Sequence, residues 1–372
     1  MKNWLLLLLF ATATRPAGAQ VAAPAPVAKA DSATTPPANP LTYYGYVDAY
    51  YGYDFKHVDT NVRPSFLYSH NRQNEFSINQ GVLGVRYDNG QVRGALGLHA
   101  GSYVTANYAS EDLTLRHLYE AYAGFRPFKK AWLDAGIFAS HIGFESALSK
   151  DNWTLTRSMM AENSPYYQAG ARFTYEVGPK LTLTAHVLNG WQIIRETNQQ
   201  KCFGTQIQWK PTARLLVNSS TFLGNEQPAG SAVRRRYFHD FYLTYALSKR
   251  LSVAGVFDVG KQQGAVGEQY DTWHAGAAFV RYQLAGQWAA AARAEYYYAQ
   301  RGVIIRNLTP EPGNADFQAH GGSLNLDYAP AANVLLRVEG RYLRGRAPVF
   351  QRPDNPAADS YGNLTTSLAI SF

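Results

Sequence analysis

The chain has 372 residues, a formal net charge of +8 and one cysteine, Cys202. A single cysteine excludes an intramolecular disulfide, and the dispersed positive charge excludes the basic stripe of a nucleic-acid-binding surface. Tyrosine is abundant, at 26 residues, beside 31 glycines, and the mean hydropathy is negative. This composition favours β structure over Leu-rich helices.

The amino terminus has the pattern of a secretory signal peptide. Lys2 precedes an apolar run over residues 4–11, and small residues follow up to Ala19. The next stretch is rich in Ala, Pro and Thr and has almost no large apolar side chain, so burial cannot offset the entropy of ordering it. We therefore predict a signal peptide over residues 1–19 and a flexible periplasmic lead over residues 20–40.

The remainder of the chain alternates apolar and polar residues with a period of two. In the last segment, Leu364, Leu368 and Phe372 occupy one phase while Thr365 and Ser371 occupy the other. No stretch after the signal approaches the roughly 20 apolar residues of a transmembrane helix, so membrane insertion would require a closed barrel. We mark sixteen alternating segments, which begin near residues 41, 74, 91, 113, 131, 167, 180, 201, 213, 235, 250, 271, 287, 317, 332 and 361.

The connections between these segments alternate between short and long. Short turns rich in Gly, Pro, Asn or Lys, such as residues 88–90 and 178–180, follow every second segment. The long polar loops lie near residues 56–73, 106–112, 144–166, 191–200, 226–234, 261–270, 301–316 and 346–360. The pattern predicts an all-β protein, a transmembrane antiparallel up-and-down β-barrel of about 16 strands over residues 41–372, with short periplasmic turns and long extracellular loops.

Two soluble folds are the alternatives to this barrel. A β-propeller would repeat a blade motif about every 40 residues, and a sandwich would have loops of mixed length at both ends.

One strand departs from the alternating pattern. In the second strand, Phe76 and Ile78 are out of phase with Leu83, which predicts a β-bulge near Gln80 and Gly81.

Several short segments carry a resemblance to a known family. They are Ala135–Phe138, Ile142–Glu145, Trp153–Ser158, Asn189–Trp191, Arg293–Tyr297 and the terminal Phe372. In this order and spacing they resemble the OmpL-like β-barrel porins of Gram-negative outer membranes. That family commonly has an acidic residue after Asn-Gly-Trp, where this chain has Gln192. The resemblance implies a general or substrate-selective diffusion channel in the outer membrane.

The strand phase also predicts which charges point inward. An Arg or Lys on the lipid face costs roughly 2–4 kcal/mol at the membrane midplane, and sixteen strands leave an aqueous channel. Each charge could be a solvated wall charge or one partner of a structural Arg–Glu pair. The predicted pore-lining residues are Arg116, Glu120, Arg172, Arg293, Glu295, Arg337, Glu339 and Arg341.

The loop over residues 144–166 follows the fifth strand, where general porins have their constriction loop. By that analogy we expect it to fold into the lumen, although it could simply roof the barrel. Its candidate constriction residues are Glu145, Asp151, Trp153, Arg157 and Glu162. Facing the predicted arginines, its acidic residues would create a transverse field that favours polar solutes, with mild anion preference.

Other functions require patterns that this sequence lacks. Ser140 and His141 are neighbours, so on a strand they would point to opposite faces and form no catalytic dyad. No His-Glu-x-x-His metal motif occurs, and we predict no enzyme activity, cofactor or metal. Inward tyrosines such as Tyr44, Tyr46 and Tyr50 leave a sugar-stacking path as an alternative.

The partners follow from the predicted location in the outer membrane of a Gram-negative bacterium. We expect contact with outer-membrane lipid and lipopolysaccharide, passage of small hydrophilic solutes, and no nucleic acid, with a homo-trimer as the candidate assembly. A non-conducting receptor or adhesin that acts through the long loops is the alternative function. A ligand-gated transporter would need a plug domain, for which we see only the short Ala/Pro segment.

Overall fold

The computed structural model describes residues 39–55, 60–264, 269–307, 315–352 and 355–372. The predicted signal peptide, and all but the last two residues of the predicted lead, lie outside the described residues. None of the helices in the described ranges is long and apolar enough to cross a membrane.

Sixteen antiparallel strands close into one barrel. They are β1 (Leu41–Asp54), β2 (Phe76–Asp88), β3 (Val92–Ala100), β4 (Leu118–Phe125), β5 (Ala131–Ala139), β6 (Tyr167–Gly178), β7 (Leu181–Leu188), β8 (Cys202–Thr212), β9 (Leu215–Asn225), β10 (Arg235–Ala246), β11 (Leu251–Gln263), β12 (Tyr270–Gln283), β13 (Trp288–Ala299), β14 (Phe317–Ala331), β15 (Val334–Gly345) and β18 (Ser360–Ser371). A small hairpin, β16 (Phe350–Arg352) and β17 (Asn355–Ala358), interrupts the last connection. The barrel closes where β18 pairs with β1, with Tyr46 opposite Ser371. The predicted all-β barrel is therefore confirmed.

Strand starts agree with the sequence pattern to within two residues, except in β4. The pattern begins this strand near residue 113, whereas β4 begins at Leu118. Helix α1 (Ser102–Asn107) and a 3₁₀ turn (Leu115–His117) occupy the connection before it. The other short helices are α2 (Met159–Glu162) and 3₁₀ turns at Ser149–Asp151 and Gln300–Gly302.

Alternation along each strand separates two surfaces. On β13, Arg293, Glu295 and Tyr297 point into the barrel and are buried, while Trp288 on the opposite phase is exposed. Large apolar side chains cover the outer surface, including Phe76 and Leu324, which are 89% and 72% exposed. Because hydrocarbon excludes charge, this arrangement suits a lipid-facing exterior and a polar interior.

A β-bulge in β2 restores the phase of that strand. Asp48 pairs with Gln80 and Ala49 with Ile78, so Asn79 is the extra residue, next to the predicted position. Asn79 and Gln80 are both buried inside the barrel, and the Asn79 amide donates to Asp48 at 3.1 Å. The bulge lets Ile78 and Leu83 both face outward.

Two paired glycines lie in the strands that carry the 140–166 loop. Gly136 on β5 pairs with Gly170 on β6, and their φ angles are 135° and 156°. A Cβ atom at Gly136 would lie 2.2 Å from the carbonyl oxygen of Ala121, and one at Gly170 would lie 2.1 Å from that of Val187. Only glycine fits these positions without strain.

Candidate functional site

The loop over residues 140–166 crosses the lumen. It connects β5 to β6, yet its backbone amides bind strands on the far side of the barrel, six to eight strands away. Leu155 N donates to Asn325 Oδ1 at 3.0 Å on β14, and Thr156 N donates to Glu339 Oε2 at 2.5 Å on β15. Met159 N donates to the carboxylate of Glu295 on β13. The loop thus lies inside the barrel and does not roof it.

Hydrogen bonds within this loop hold its shape. The side chain of Ser158 caps α2 by accepting from Ala161 N at 3.2 Å. The carboxylate of Glu145 in turn accepts from Ser158 N at 3.0 Å and from the Ser158 hydroxyl. Asn152 bridges the first turn, accepting from Ser146 N at 2.6 Å and donating to Ser146 O at 2.9 Å. The loop therefore presents a preformed surface to the wall.

Arg293 on β13 is the principal contact between wall and loop. Its side chain is fully buried, with Nη1 donating to Thr154 Oγ1 at 2.9 Å and to Thr156 O at 2.5 Å. Nη2 donates to Glu339 Oε1 at 3.1 Å. Glu145, from the loop, lies 3.8 Å from the same guanidinium. One arginine thus joins the loop to two strands.

The other wall charges form a balanced network around Arg293. Arg341 binds Glu295 at 2.8 Å, and Arg337 binds Asp327 at 2.8 Å. Arg337 also donates to the loop carbonyls of Ser149 and Asn152, at 2.6 and 3.0 Å. The network contains four arginines, Arg281, Arg293, Arg337 and Arg341, and four carboxylates, Glu145, Glu295, Asp327 and Glu339. Among the described residues, this network has as many carboxylates as arginines, unlike the arginine-rich wall expected from the sequence.

Glu120 and Arg172 lie on the opposite wall. Glu120 accepts from Tyr44 Oη at 2.5 Å and from Arg86 Nε at 2.8 Å. Arg172 Nε binds Asp134 at 2.8 Å, and Arg93 binds the same carboxylate at 2.6 Å. Both predicted residues point inward and are paired.

Arg116 lies off the barrel wall. It belongs to the 3₁₀ turn before β4 and donates to the carbonyls of Ala109 and Glu111, each at 3.0 Å. The alternation seen in the sequence extends into this turn, so the sequence placed Arg116 on a strand that has not yet begun. Its role here is to hold the connection between β3 and β4.

The remaining charged residues of the loop have local partners. Asp151 binds Lys150 at 2.7 Å, and Glu162 accepts from Tyr68 N at 3.0 Å, so it faces the first long loop. Of the three acidic candidates in this loop, Glu145 is the one that lies within ion-pair distance of a predicted wall arginine. Burial raises the pKa of Glu145, and nearby Arg293 opposes that rise.

Two further loop residues are held by aromatic contacts. The guanidinium of Arg157 lies between the rings of Tyr103 and Tyr166, at 4.2 and 4.1 Å from their centroids. Trp153 is buried with its ring 5.5 Å from that of Phe144, edge to face. Both side chains anchor the loop in place.

Aromatic side chains cluster inside the barrel near the rim that carries the long loops. Trp191 lies 4.9 Å from Phe222 and 4.8 Å from Phe238, ring to ring. Three other long loops add Phe66, Ile305 and Phe350 to the same cluster. Sequence reasoning missed this cluster because it searched the inward phase for charges. The available signal was the aromatic Phe222 and Phe238 in that phase.

A cavity of about 680 Å³ opens at the opposite rim, below the infolded loop. We call it the short-turn vestibule. Phe144 and Trp153 from the loop and Tyr242 from β10 line its inner end. Its lining cations are Lys180, Lys210, Arg214, Lys249, Arg250 and Arg281, and its lining carboxylate is Asp151. In the sequence, these lysines have only the signature of turn residues, which indicates no role.

The fold and lumen define a class of protein, the bacterial outer-membrane porins: sixteen strands, alternating short turns and long loops, a charged interior and one infolded loop. The chain belongs to the family described as "Putative beta-barrel porin-2, OmpL-like", whose model matches residues 40–372. No curated protein matches the sequence. The family confirms the predicted resemblance and identifies a porin-like barrel of the outer membrane.

Solved structures share the barrel at low sequence identity. OmpT of Vibrio cholerae, in a trimer form, matches with a TM-score of 0.60 and 11% identity, over 89% of this chain and 99% of that one. An anion-selective porin from Comamonas acidovorans matches with a TM-score of 0.59 and 9% identity, over 89% and 99%. The channel DcaP of Acinetobacter baumannii matches with a TM-score of 0.58 and 11% identity, over 89% and 97%. At these identities the likeness is one of fold.

Proposed function

We propose that the protein is a diffusion channel that passes small hydrophilic solutes and mildly prefers anions. The observation that carries the preference is the lining of the short-turn vestibule, where, among the described residues, five cations without a carboxylate partner accompany one carboxylate. That carboxylate, Asp151, is itself paired with Lys150. A cavity lined by one sign of charge concentrates counter-ions at its mouth.

The vestibule replaces the arginine wall as the source of selectivity. The wall arginines are matched by carboxylates and lie beneath the loop, with Arg293, Arg337 and Arg341 at most 4% exposed. Lys180, Arg214 and other turn cations are exposed. Exposed charges act on a passing ion, whereas buried and paired charges act mainly on each other.

The aromatic cluster at the outer rim implies a gated path. Phe66, Ile305 and Phe350 reach it from three different loops, so separation of these loops would open the outer half of the lumen. We expect discrete closures in single-channel recordings, with the packed arrangement as the closed state.

The decisive experiment is recording from purified protein in planar bilayers with a salt gradient. The proposal predicts stable conductance steps and a reversal potential on the anion side. A triple variant, Lys180→Gln with Lys210→Gln and Arg214→Gln, should move the reversal potential towards zero. Lys129→Gln, a charge change in the turn between β4 and β5, is the control. Clear cation preference in the wild type would refute the anion assignment.

A non-conducting receptor or adhesin is the second candidate, and the aromatic cluster to which four long loops contribute at the outer rim favours it. Its function would reside on the long loops at that rim. If the protein is folded, as judged by β-type circular dichroism, and gives no conductance in bilayers, that result would support this candidate over the channel.

Export and assembly complete the proposal. Cleavage of the signal peptide after Ala19 would release a chain with the lead over residues 20–40, and amino-terminal sequencing of the mature protein tests this. A hollow of about 810 Å³ along β1, β2, β18 and β13–β15, lined by Trp288, Tyr328 and Leu336, offers an apolar surface to a second copy in a homo-trimer. Crosslinking in native membranes should then give trimers, while the other outward side chains contact lipid and lipopolysaccharide.

A further inference from the structure

The inner end of the short-turn vestibule is built from aromatic rings. The half-buried ring of Phe144 lies 5.5 Å from that of Trp153, 5.9 Å from that of Tyr242 and 5.3 Å from that of Phe279. Phe144 and Trp153 from the infolded loop and Tyr242 from the wall line the cavity, and Phe279 from the wall packs against Phe144. A path for inorganic ions alone does not need an apolar surface at this point.

The mouth of the same cavity is cationic and unpaired. Within the part of the chain that the structure describes, Lys180, Lys210, Arg214, Lys249 and Arg250 have no carboxylate within ion-pair distance. Arg281 is paired with Asp327 at 3.0 Å, deeper in the barrel. The cavity therefore has an aromatic end and a positive end.

The volume of the cavity suits an organic molecule. At about 680 Å³, it falls within the range of roughly 300–1,000 Å³ that is usual for small-molecule sites. Such sites combine apolar walls with a few polar groups that orient the ligand, which is the division seen between Phe144 and the turn cations.

We propose that the short-turn vestibule binds amphipathic organic anions, namely small carboxylates with an aromatic or apolar body. The apolar body lies against Phe144 and Trp153, and the carboxylate points to Lys180, Lys210 and Arg214. The inference rests on the proposed channel function, for which it names the solute class. A short aliphatic carboxylate satisfies the cations but leaves the rings uncovered.

Calorimetric titration of the full-length, detergent-solubilised protein with sodium benzoate and with sodium acetate tests the site without requiring conduction. We expect benzoate to bind about tenfold more tightly than acetate, because its ring covers apolar surface. Phe144→Ala should reduce benzoate binding to the level of acetate and leave acetate binding unchanged. Phe128→Ala, in the exposed turn between β4 and β5, should leave both unchanged. If the alanine variant does not fold, Phe144→Leu replaces it in the test. This variant should retain part of the preference for benzoate over acetate.

The cationic end has its own test. The triple variant of Lys180, Lys210 and Arg214 to glutamine should weaken the binding of benzoate and of acetate to the same extent. Lys129→Gln should leave the binding of both unchanged. Equal binding of benzoate and acetate by the wild type would overturn the inference, as would an equal loss of both in Phe144→Ala. An anion-preferring channel without benzoate preference refutes this inference alone. If the protein shows no conductance but still binds benzoate more tightly than acetate, the channel function is refuted and the binding site is supported.

Discussion

Replacing Arg293 with methionine should release the infolded loop from the wall. Methionine keeps much of the volume of the side chain but removes the donors to Thr154 and Thr156 and the charge that faces Glu145 and Glu339. Removing one partner of a buried ion pair typically costs about 3–5 kcal/mol, because the remaining charge stays buried and unpaired. Arg293 also lies 3.2 Å from Glu295, but Glu295 keeps Arg341, so we expect the lower half of this range.

The size of that effect determines the assay. A loss of about 3–4 kcal/mol from the infolded state corresponds to a change of several hundred-fold in the equilibrium between the infolded and released loop. Trypsin cleaves after arginine, and Arg157 is held between two tyrosine rings in the infolded state. We therefore expect rapid tryptic cleavage at Arg157 in Arg293→Met and slow cleavage in the wild type.

A matched variant separates loop release from general damage to the wall. Arg281→Met removes an inward arginine from the neighbouring strand, where it binds Asp327 on β14 and not the loop. Asp327 keeps Arg337 in that variant. Unchanged cleavage in Arg293→Met, or the same increase in both variants, would refute the role assigned to Arg293.

Three further predictions concern pH, backbone strain and the outer rim. Burial raises the pKa of Glu145, so its protonation as pH falls through that raised value should stabilise the infolded loop and lower conductance; Glu145→Gln should abolish this dependence in bilayer recordings. Gly136→Ala should destabilise the barrel by about 1–3 kcal/mol, measured as a lower unfolding temperature, since its Cβ would meet the Ala121 carbonyl. Trp191→Ala should raise the open probability of single channels by removing the ring between Phe222 and Phe238. An unchanged pH profile in Glu145→Gln, an unchanged unfolding temperature or an unchanged open probability would contradict the respective argument.

The sequence predicted the barrel because the energies that shape it act residue by residue. Each outward position on a strand must suit hydrocarbon, and each inward position can be polar, so a period of two is present in every strand. Residues 317 and 235 begin strands where the pattern places them. The predicted start of β4 was wrong because alternation also occurs by chance in the short 3₁₀ turn around Arg116. A local pattern carries no information on where hydrogen-bonded pairing with a neighbouring strand begins.

The candidate site was predicted only in part. The sequence placed Arg293, Glu295 and Arg341 on the inner face, and the structure shows them there. It could not show that Glu145 would neutralise part of this wall, since these groups are 148 to 196 residues apart in the chain and meet through loop docking and strand register. Nor could it give Lys180 or Lys210 a role, because a lysine in a turn has the same local signature whether or not a cavity opens beside it.

The sequence by itself determined the number of barrel strands, the face on which most strand side chains lie and the division into short turns and long loops. These features follow from solvation of single residues and from the local chemistry of turns. The tertiary structure alone decided which charges pair, that aromatic rings cluster at the outer rim and that a cationic vestibule remains below the loop. Those outcomes depend on distances between groups far apart in the chain, which closure of the barrel and docking of the loop bring together.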